Sequence, residues 1–282
     1  MKIVKHKNYY YLSNSFRLDG RVIHREKYLG KDLPKNLEEI KEAFLQKCME
    51  QSVFKKLSII QKNFKIEWKK YPESIKKEIL IDLSISFIYN TNAIEGSTIT
   101  LSETEELIKR KISPNKPIRD VQETINHSKV FFNIVNKKFN FSSDTFLNWH
   151  KGIFMDTKTD IAGKFRDYMV RVGSYTAPDW QDVEKLMKEF FEWYNEEKNN
   201  LNAIELAARA HFKFEKIHPF GDGNGRIGRL IIAYILRNNN FPLLIIEYKK
   251  RKSYYHALSK SENDFLNWFI RSYVSAHRRY VE

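Results

Sequence analysis

Apolar positions recur along this chain mainly at helical spacing, with strand-like alternation confined to a few short stretches. Two β-prone runs, Tyr9–Leu18 and Arg21–Leu29, flank Asp19-Gly20, a dipeptide suited to a two-residue turn, so a hairpin is expected at the start. Pro34 then opens a long helical stretch running to about Lys70, with Leu37, Ile40 and Phe44 on one stripe and Ala43 beside them. After Pro72 a second helix places Ile75, Ile79, Leu83 and Phe87 four apart and stops near Gly96, a natural C-terminal cap. Ser102–Lys111 reads as a short helix with Ser102 as N-cap and Glu105 three residues on. Further helices are expected at about Ile118–Lys137, Ser143–Met155, Trp180–Glu197, Asn202–Lys216, Asn224–Asn238 and Ser261–Arg279. Asp167–Ala177 alternates enough for a small hairpin, and Leu243–Ile246 is strand-like. The expectation is a mainly α protein. Residues 1–72 form a β-hairpin and long helix whose role is not legible, and residues 73–282 form a helical core.

Composition narrows this little. With 42% hydrophobic and 30% charged residues the chain can bury a core and is not of disordered composition. The longest apolar run, Leu230–Leu236, is far short of the ~20 residues a membrane helix needs. No apolar block follows the charged start, so no signal peptide is expected. A single cysteine, Cys48, excludes an internal disulfide and suits the cytoplasm. The formal charge of +14 comes from lysines scattered along the whole chain, which reads as a solvated surface. It also keeps a nucleic-acid-binding regulator open as an alternative.

Chemistry concentrates in His218-Pro-Phe-Gly-Asp-Gly-Asn-Gly-Arg-Ile-Gly-Arg229, between two helical patterns. Gly221, Gly223 and Gly225 let the backbone turn tightly with N–H groups outward, and a helix beginning near Asn224 adds its N-terminal dipole. Arg226 and Arg229 are three apart and can face one ligand. Asp222 is a hard oxygen ligand suited to Mg²⁺, and His218 can accept a proton near neutral pH. An anion cradle, a metal ligand, two cations and a base in twelve residues are what phosphoryl or nucleotidyl transfer requires. Gly223-x-Gly225-x-x-Gly228 with Glu247 downstream also mimics a dinucleotide-binding fingerprint, but the residues before it are charged and then broken by Pro219 rather than strand-like. An EF-hand fails because Arg226 and Ala233 stand where oxygen ligands are needed. A merely structural loop is the third reading, which the ordered set makes hard to sustain.

The same stretch matches the Fic signature, H-x-F-x-D/E-G-N-G-R-x-x-R, at every specified position, and the chain resembles that family from about Glu73 onward. The resemblance implies an all-helical core and transfer of AMP from ATP to a hydroxyl of a target protein, with Mg²⁺. His218 would be the general base, Phe220 the loop's core anchor and Asp222 the metal ligand. Gly223, Asn224 and Gly225 would form the anion hole, while Arg226 and Arg229 hold the polyphosphate, Arg229 nearest the γ-phosphate. Arg166–Pro178 resembles the flap that registers the target segment, and Ser253–Leu258, with Tyr254 and Tyr255, resembles the lining of the adenine pocket. Asn148-Trp149-His150 fits the core helices, with His150 structural.

Upstream, Thr91-x-x-x-Glu95-Gly96 resembles the family's inhibition motif, and the helix at about 73–96 its N-terminal inhibitory helix. Glu95 would pair with Arg229 and occupy the cation the γ-phosphate needs. In some relatives the equivalent glutamate supports removal of AMP, so both directions stay open. Other members transfer phosphate or phosphocholine; the unaltered Gly-Asn-Gly-Arg core favours AMP. Self-modification and a homodimer are further expectations of the resemblance, and no membrane partner is expected.

Overall fold

The chain folds as a mainly α protein with two small antiparallel sheets; the structure, a computed structural model, describes residues 1–18, 21–49, 53–173 and 175–282. It divides into two units, one of Met1–Asn63 with Arg278–Glu282 and one of Phe64–His277.

The first unit holds a three-stranded antiparallel sheet ordered β1 (Lys2–His6), β2 (Tyr9–Leu18), β3 (Arg21–Gly30). The expected hairpin is present as β2 and β3, paired from Tyr10↔Gly30 to Leu18↔Arg21, and the Asp19-Gly20 turn lies outside the described residues. β1 was not expected: it alternates Lys2, Val4, His6 against Ile3, Lys5, and its charge masks the period of two. Helix α1 (Leu37–Met49) contributes Phe44 and Cys48 to a small core around the fully buried Leu12, edged by Leu29 and Ile40. The stretch expected as one helix to Lys70 is α1 followed by α2 (Lys55–Lys70).

The second unit is the helical core. Helix α3 (Glu73–Ile94) ends as expected, with Glu95 as C-cap and Gly96 at φ 92, a left-handed position that glycine adopts without strain. Its buried stripe is not the expected one. Leu80, Ser84, Phe87, Ile88 and Thr91 are buried and Ile75 is exposed, because the helix packs against α4, α5 and α9 rather than against a single partner. Helix α4 (Leu101–Glu105) begins two residues earlier than expected. Thr100 is the N-cap and forms a reciprocal capping box with Glu103, in place of Ser102 with Glu105. A π-helical turn, Glu106–Arg110, follows.

Helices α5 (Ile118–Asn136), α6 (Ser143–Phe154), α7 (Val183–Glu197), α8 (Ala203–Ile217) and α9 (Asn224–Asn238) build the centre. α10 (Arg251–Leu258) and α11 (Glu262–Ala276) close it. α9 is buried on most sides, with Ile227, Leu230, Ile231, Ile232, Ala233, Ile235 and Leu236 essentially sealed and the polar Asn224, Arg226 and Arg229 buried at its start. It packs on α8, α5, α3 and α6. The hairpin between α6 and α7 consists of β4 (Arg171–Val172) and β5 (Tyr175–Thr176). Leu243–Ile246 is not a strand: it is irregular, with Leu243, Leu244 and Ile246 buried. No described helix is long and apolar enough to cross a membrane.

Candidate active site

The loop between α8 and α9 owes its shape to its buried members. Phe220 is fully buried and stacks on His150 of α6 at 4.0 Å between ring centres and 7° between planes. Asn224 clasps the turn, its side chain accepting from the Phe220 N–H at 2.8 Å and donating to the Phe220 carbonyl at 2.7 Å. That commits the Asn224 side chain to the turn, while its backbone N–H lies in the first turn of the next helix. His150 accepts the Gly163 N–H at Nδ1 (2.9 Å), so its proton is on Nε2, which donates to the Asp222 carbonyl (3.0 Å). Burial pushes this imidazole down to about 4, so it stays neutral and structural. Gly223 is obligatory: it sits at φ 81, and a Cβ there would lie 2.3 Å from the Phe154 ring.

Because α9 begins at Asn224, its first N–H groups lack intrahelical acceptors and meet the loop. Gly223 N–H is already taken by Asp222 Oδ1 at 2.5 Å. The Asp222 carboxylate pairs with Lys158 and lies 3.8 Å from Arg226. Burial opposes its charge, but Lys158 and Arg226 outweigh that and hold it below the usual carboxylate range. Arg226, buried over the Phe154 ring, pairs with Glu123 of α5. Glu123 also receives Arg119 and Thr157, each at 3.1 Å. Asp222, Arg226, Glu123, Asn92, Glu95 and Gly96 share a cavity of about 230 Å³.

Arg229 is buried and pairs with Glu95, with Tyr254 Oη at 3.4 Å and the Thr91 carbonyl at 3.5 Å completing its surroundings. Burial works against its charge; Glu95 reverses this and raises its pKa above the usual value. The expected contact between Glu95 and Arg229 is therefore made. Glu95 is held from behind, since Asn92 donates to Thr124 of α5 (3.1 Å) and meets His127 Nδ1 (3.0 Å), locking the end of α3 in place. Gly225 makes room, as a Cβ there would fall 2.3 Å from Glu95 Oε1.

His218 closes α8 in a left-handed conformation, φ 51, and burial lowers its pKa. It lines a second cleft, of about 370 Å³, with Glu215, the hairpin residues Val172 and Tyr175, and Tyr255. The expected aromatic pair divides here. Tyr255 is 43% exposed in this cleft, whereas Tyr254 is 1% exposed with its hydroxyl on His211 at 2.8 Å, which leaves no ring face for a base.

Of four contributors missed in the chain, three carried no recognisable signal. Lys158 and Glu123 come from remote segments. So does Arg166, which donates to the carbonyls of His218 (2.9 Å), Tyr168 (3.0 Å) and Pro178 (2.6 Å), pinning the hairpin's base to the loop. Glu215 alone could have been found, as a carboxylate three residues before His218 on one helix face.

Asp222 fits a divalent ion: its carboxylate is ionised and lines a polar cavity beside a glycine-rich turn at a helix N-terminus. Among the described residues no group of three or more His, Cys, Asp or Glu side chains is set to hold a metal. A single carboxylate completed by nucleotide phosphates and water is the way Mg²⁺ is commonly held.

Residues 140–236 match the model of the Fic/DOC family. The protein adenylyltransferase Fic of Nematostella vectensis is 31% identical over 212 residues, 73% of this chain and 50% of that protein. The protein adenylyltransferase fic-1 of Caenorhabditis elegans is 33% identical over 198 residues, 68% of this chain and 39% of that protein. The chain thus spans half or less of the length of these curated relatives. The solved structure of C. elegans Fic-1, residues 134–508, aligns with a TM-score of 0.71 at 25% identity, covering 88% of this chain and 78% of that one. With the signature loop inside the matched segment and the helical core shared, the chain carries a Fic/DOC-family domain.

Proposed function

We propose that this chain is a protein adenylyltransferase that moves AMP from ATP to a hydroxyl of a target protein and is restrained by its own Glu95. The observation that carries the reading is convergence on one loop. A histidine base, an ionised aspartate, two arginines and a helix N-terminus meet there, with Glu95 seated on the innermost arginine. The curated relatives named above as protein adenylyltransferases support the same class of reaction.

In this reading the target segment pairs with the hairpin edge at Arg171–Thr176 and presents its hydroxyl in the cleft beside His218. Nε2 takes the hydroxyl proton while the oxygen attacks the α-phosphorus; the bond to the bridging oxygen breaks and diphosphate leaves with that electron pair. The α9 N-terminus and Arg226 hold phosphate oxygens in line. Asp222 would hold Mg²⁺, which would supply neutralisation of charge on the departing diphosphate. Glu95 denies Arg229 to the γ-phosphate, so ATP binds weakly or out of line. The reading places the reaction in the cytoplasm, where ATP and Mg²⁺ are supplied.

Labelled ATP with Mg²⁺, applied to wild type, Glu95→Gly and Glu95→Gly/His218→Ala, tests it through self-modification. Weak, strong and absent label, in that order, is expected. No label on Glu95→Gly, despite ATP binding measured by calorimetry, would overturn AMP transfer.

A further inference from the structure

Beside His218 lies a largely buried carboxyl that the chemistry above does not use. Glu215 lies on the last turn of α8, three residues before His218. His218 is a non-glycine residue at φ 51 and ψ 58, a conformation that side chains seldom adopt. That twist folds the imidazole back over the helix end. The ring bonds to the backbone of Glu215, and its Nδ1 lies 3.8 Å from the Glu215 Oε2. With Nδ1 on the Glu215 side, Nε2 is the nitrogen left to act as the base.

The carboxyl itself is poorly satisfied, since Oε1 is buried without a hydrogen-bond partner. α9 comes so close that a Cβ on Gly228 would lie 2.6 Å from that oxygen. As packing this is costly: the group gives up water and gains little in return. Its position beside the base, in the cleft with Val172, Tyr175 and Tyr255, gives it a use.

We propose that Glu215 is a positioning residue for the base, a carboxylate behind the imidazole that balances the charge His218 acquires when Nε2 takes the target hydroxyl's proton. The inference rests on the adenylyltransferase reading. The hydroxyl O–H bond breaks, Nε2–H forms, and the new imidazolium faces an anion instead of apolar surroundings. Burial pushes Glu215 up to about 7, so its charge changes in the range where the base works. The groups around it are Arg229, which favours its ionisation, Glu95, which opposes it, Lys216 on its own helix, Tyr254 and Tyr255 of α10, and His211 across Gly228.

The test uses the full chain with Glu95→Gly, adding Glu215→Gln, Glu215→Asp or His218→Ala. It measures single-turnover labelling across pH, ATP affinity by calorimetry, and the His218 ring nitrogens by ¹⁵N NMR titration. Glu215→Gln should slow labelling at pH 8 on the order of tenfold while ATP affinity stays within about twofold. An ionised Glu215 raises the His218 pKa, so its loss should move the low-pH limb and the NMR titration to lower pH. Glu215→Asp should recover part of both. Unchanged rate and unchanged His218 titration in Glu215→Gln, beside an inactive His218→Ala, overturns this inference alone. Full labelling by His218→Ala overturns the base assignment and this inference with it.

Discussion

The signature loop contributes to two cavities built on different electrostatic terms. On the Asp222 side Lys158 is paired with Asp222, Arg226 with Glu123 and Arg229 with Glu95. On the His218 side the cleft holds aromatic and aliphatic surface, an imidazole kept neutral by burial and a carboxyl with an unpartnered oxygen. The contrast suits the two substrates proposed. A polyphosphate brings its own charge and must displace a carboxylate to enter. A serine, threonine or tyrosine hydroxyl brings none and needs only a base and an edge to lie on.

The sharpest way to break this division is to ask whether affinity and chemistry separate between the cavities. Glu95→Gly should tighten ATP binding by roughly 5–150-fold, the span of ordinary intersite coupling, because it frees Arg229 without touching the cleft. Adding His218→Ala should leave that affinity in place and cost about 10²–10⁴ in transfer rate. Loss of ATP affinity on His218→Ala would merge the two cavities into one site.

The paired side can also be broken from behind. Glu123→Ala leaves Arg226 buried with only Asp222 Oδ1, at 3.8 Å, as counter-ion, and should cost roughly 3–5 kcal/mol in urea unfolding. Arg119→Ala removes a partner of the same glutamate whose own side chain is 57% exposed, and should cost less than about 1 kcal/mol. Equal effects would mean that the buried pair is not what holds this wall.

The same division explains how much of the site was legible in the chain. His218, Asp222, both arginines and the helix start at Asn224 lie within twelve residues, so local spacing exposes them. Lys158 and Glu123 reach Asp222 and Arg226 across 64 and 103 residues, and nothing in a single sequence pairs such positions. Helix ends show the same limit. Thr100-x-x-Glu103 and Ser102-x-x-Glu105 both satisfy the capping pattern, and only the chain's path chooses the first. Along α3 the apolar positions outnumber one face, so periodicity picked a stripe that includes the exposed Ile75, whereas burial follows three neighbouring helices. The sealing of Tyr254 follows equally from packing: His211 and Arg229 claim its hydroxyl from other helices.

The unpaired side makes its own prediction about stability. Glu215 keeps its proton to about 7 in the fold but to about 4.5 when the chain unfolds. Between those values the unfolded state binds fewer protons, so this residue's contribution is fully present below about pH 4.5 and lost as pH rises through about 7. The expected loss is roughly 3 kcal/mol, which Glu215→Gln should abolish. Three buried histidines, His127 among them, act in the opposite direction. His150 and His211 are depressed to about 4 and about 3, so they charge more readily in the unfolded chain and make the fold gain stability as pH rises toward 6.5. Wild type alone therefore shows a compensated profile. The difference between wild type and Glu215→Gln in urea unfolding at pH 5 and pH 8 removes the histidines from both curves. The glutamine variant should gain on wild type as pH rises. A constant difference would mean that Glu215 is solvated or partnered in solution, and the cleft would then be as well satisfied as the cavity on the other side of the loop.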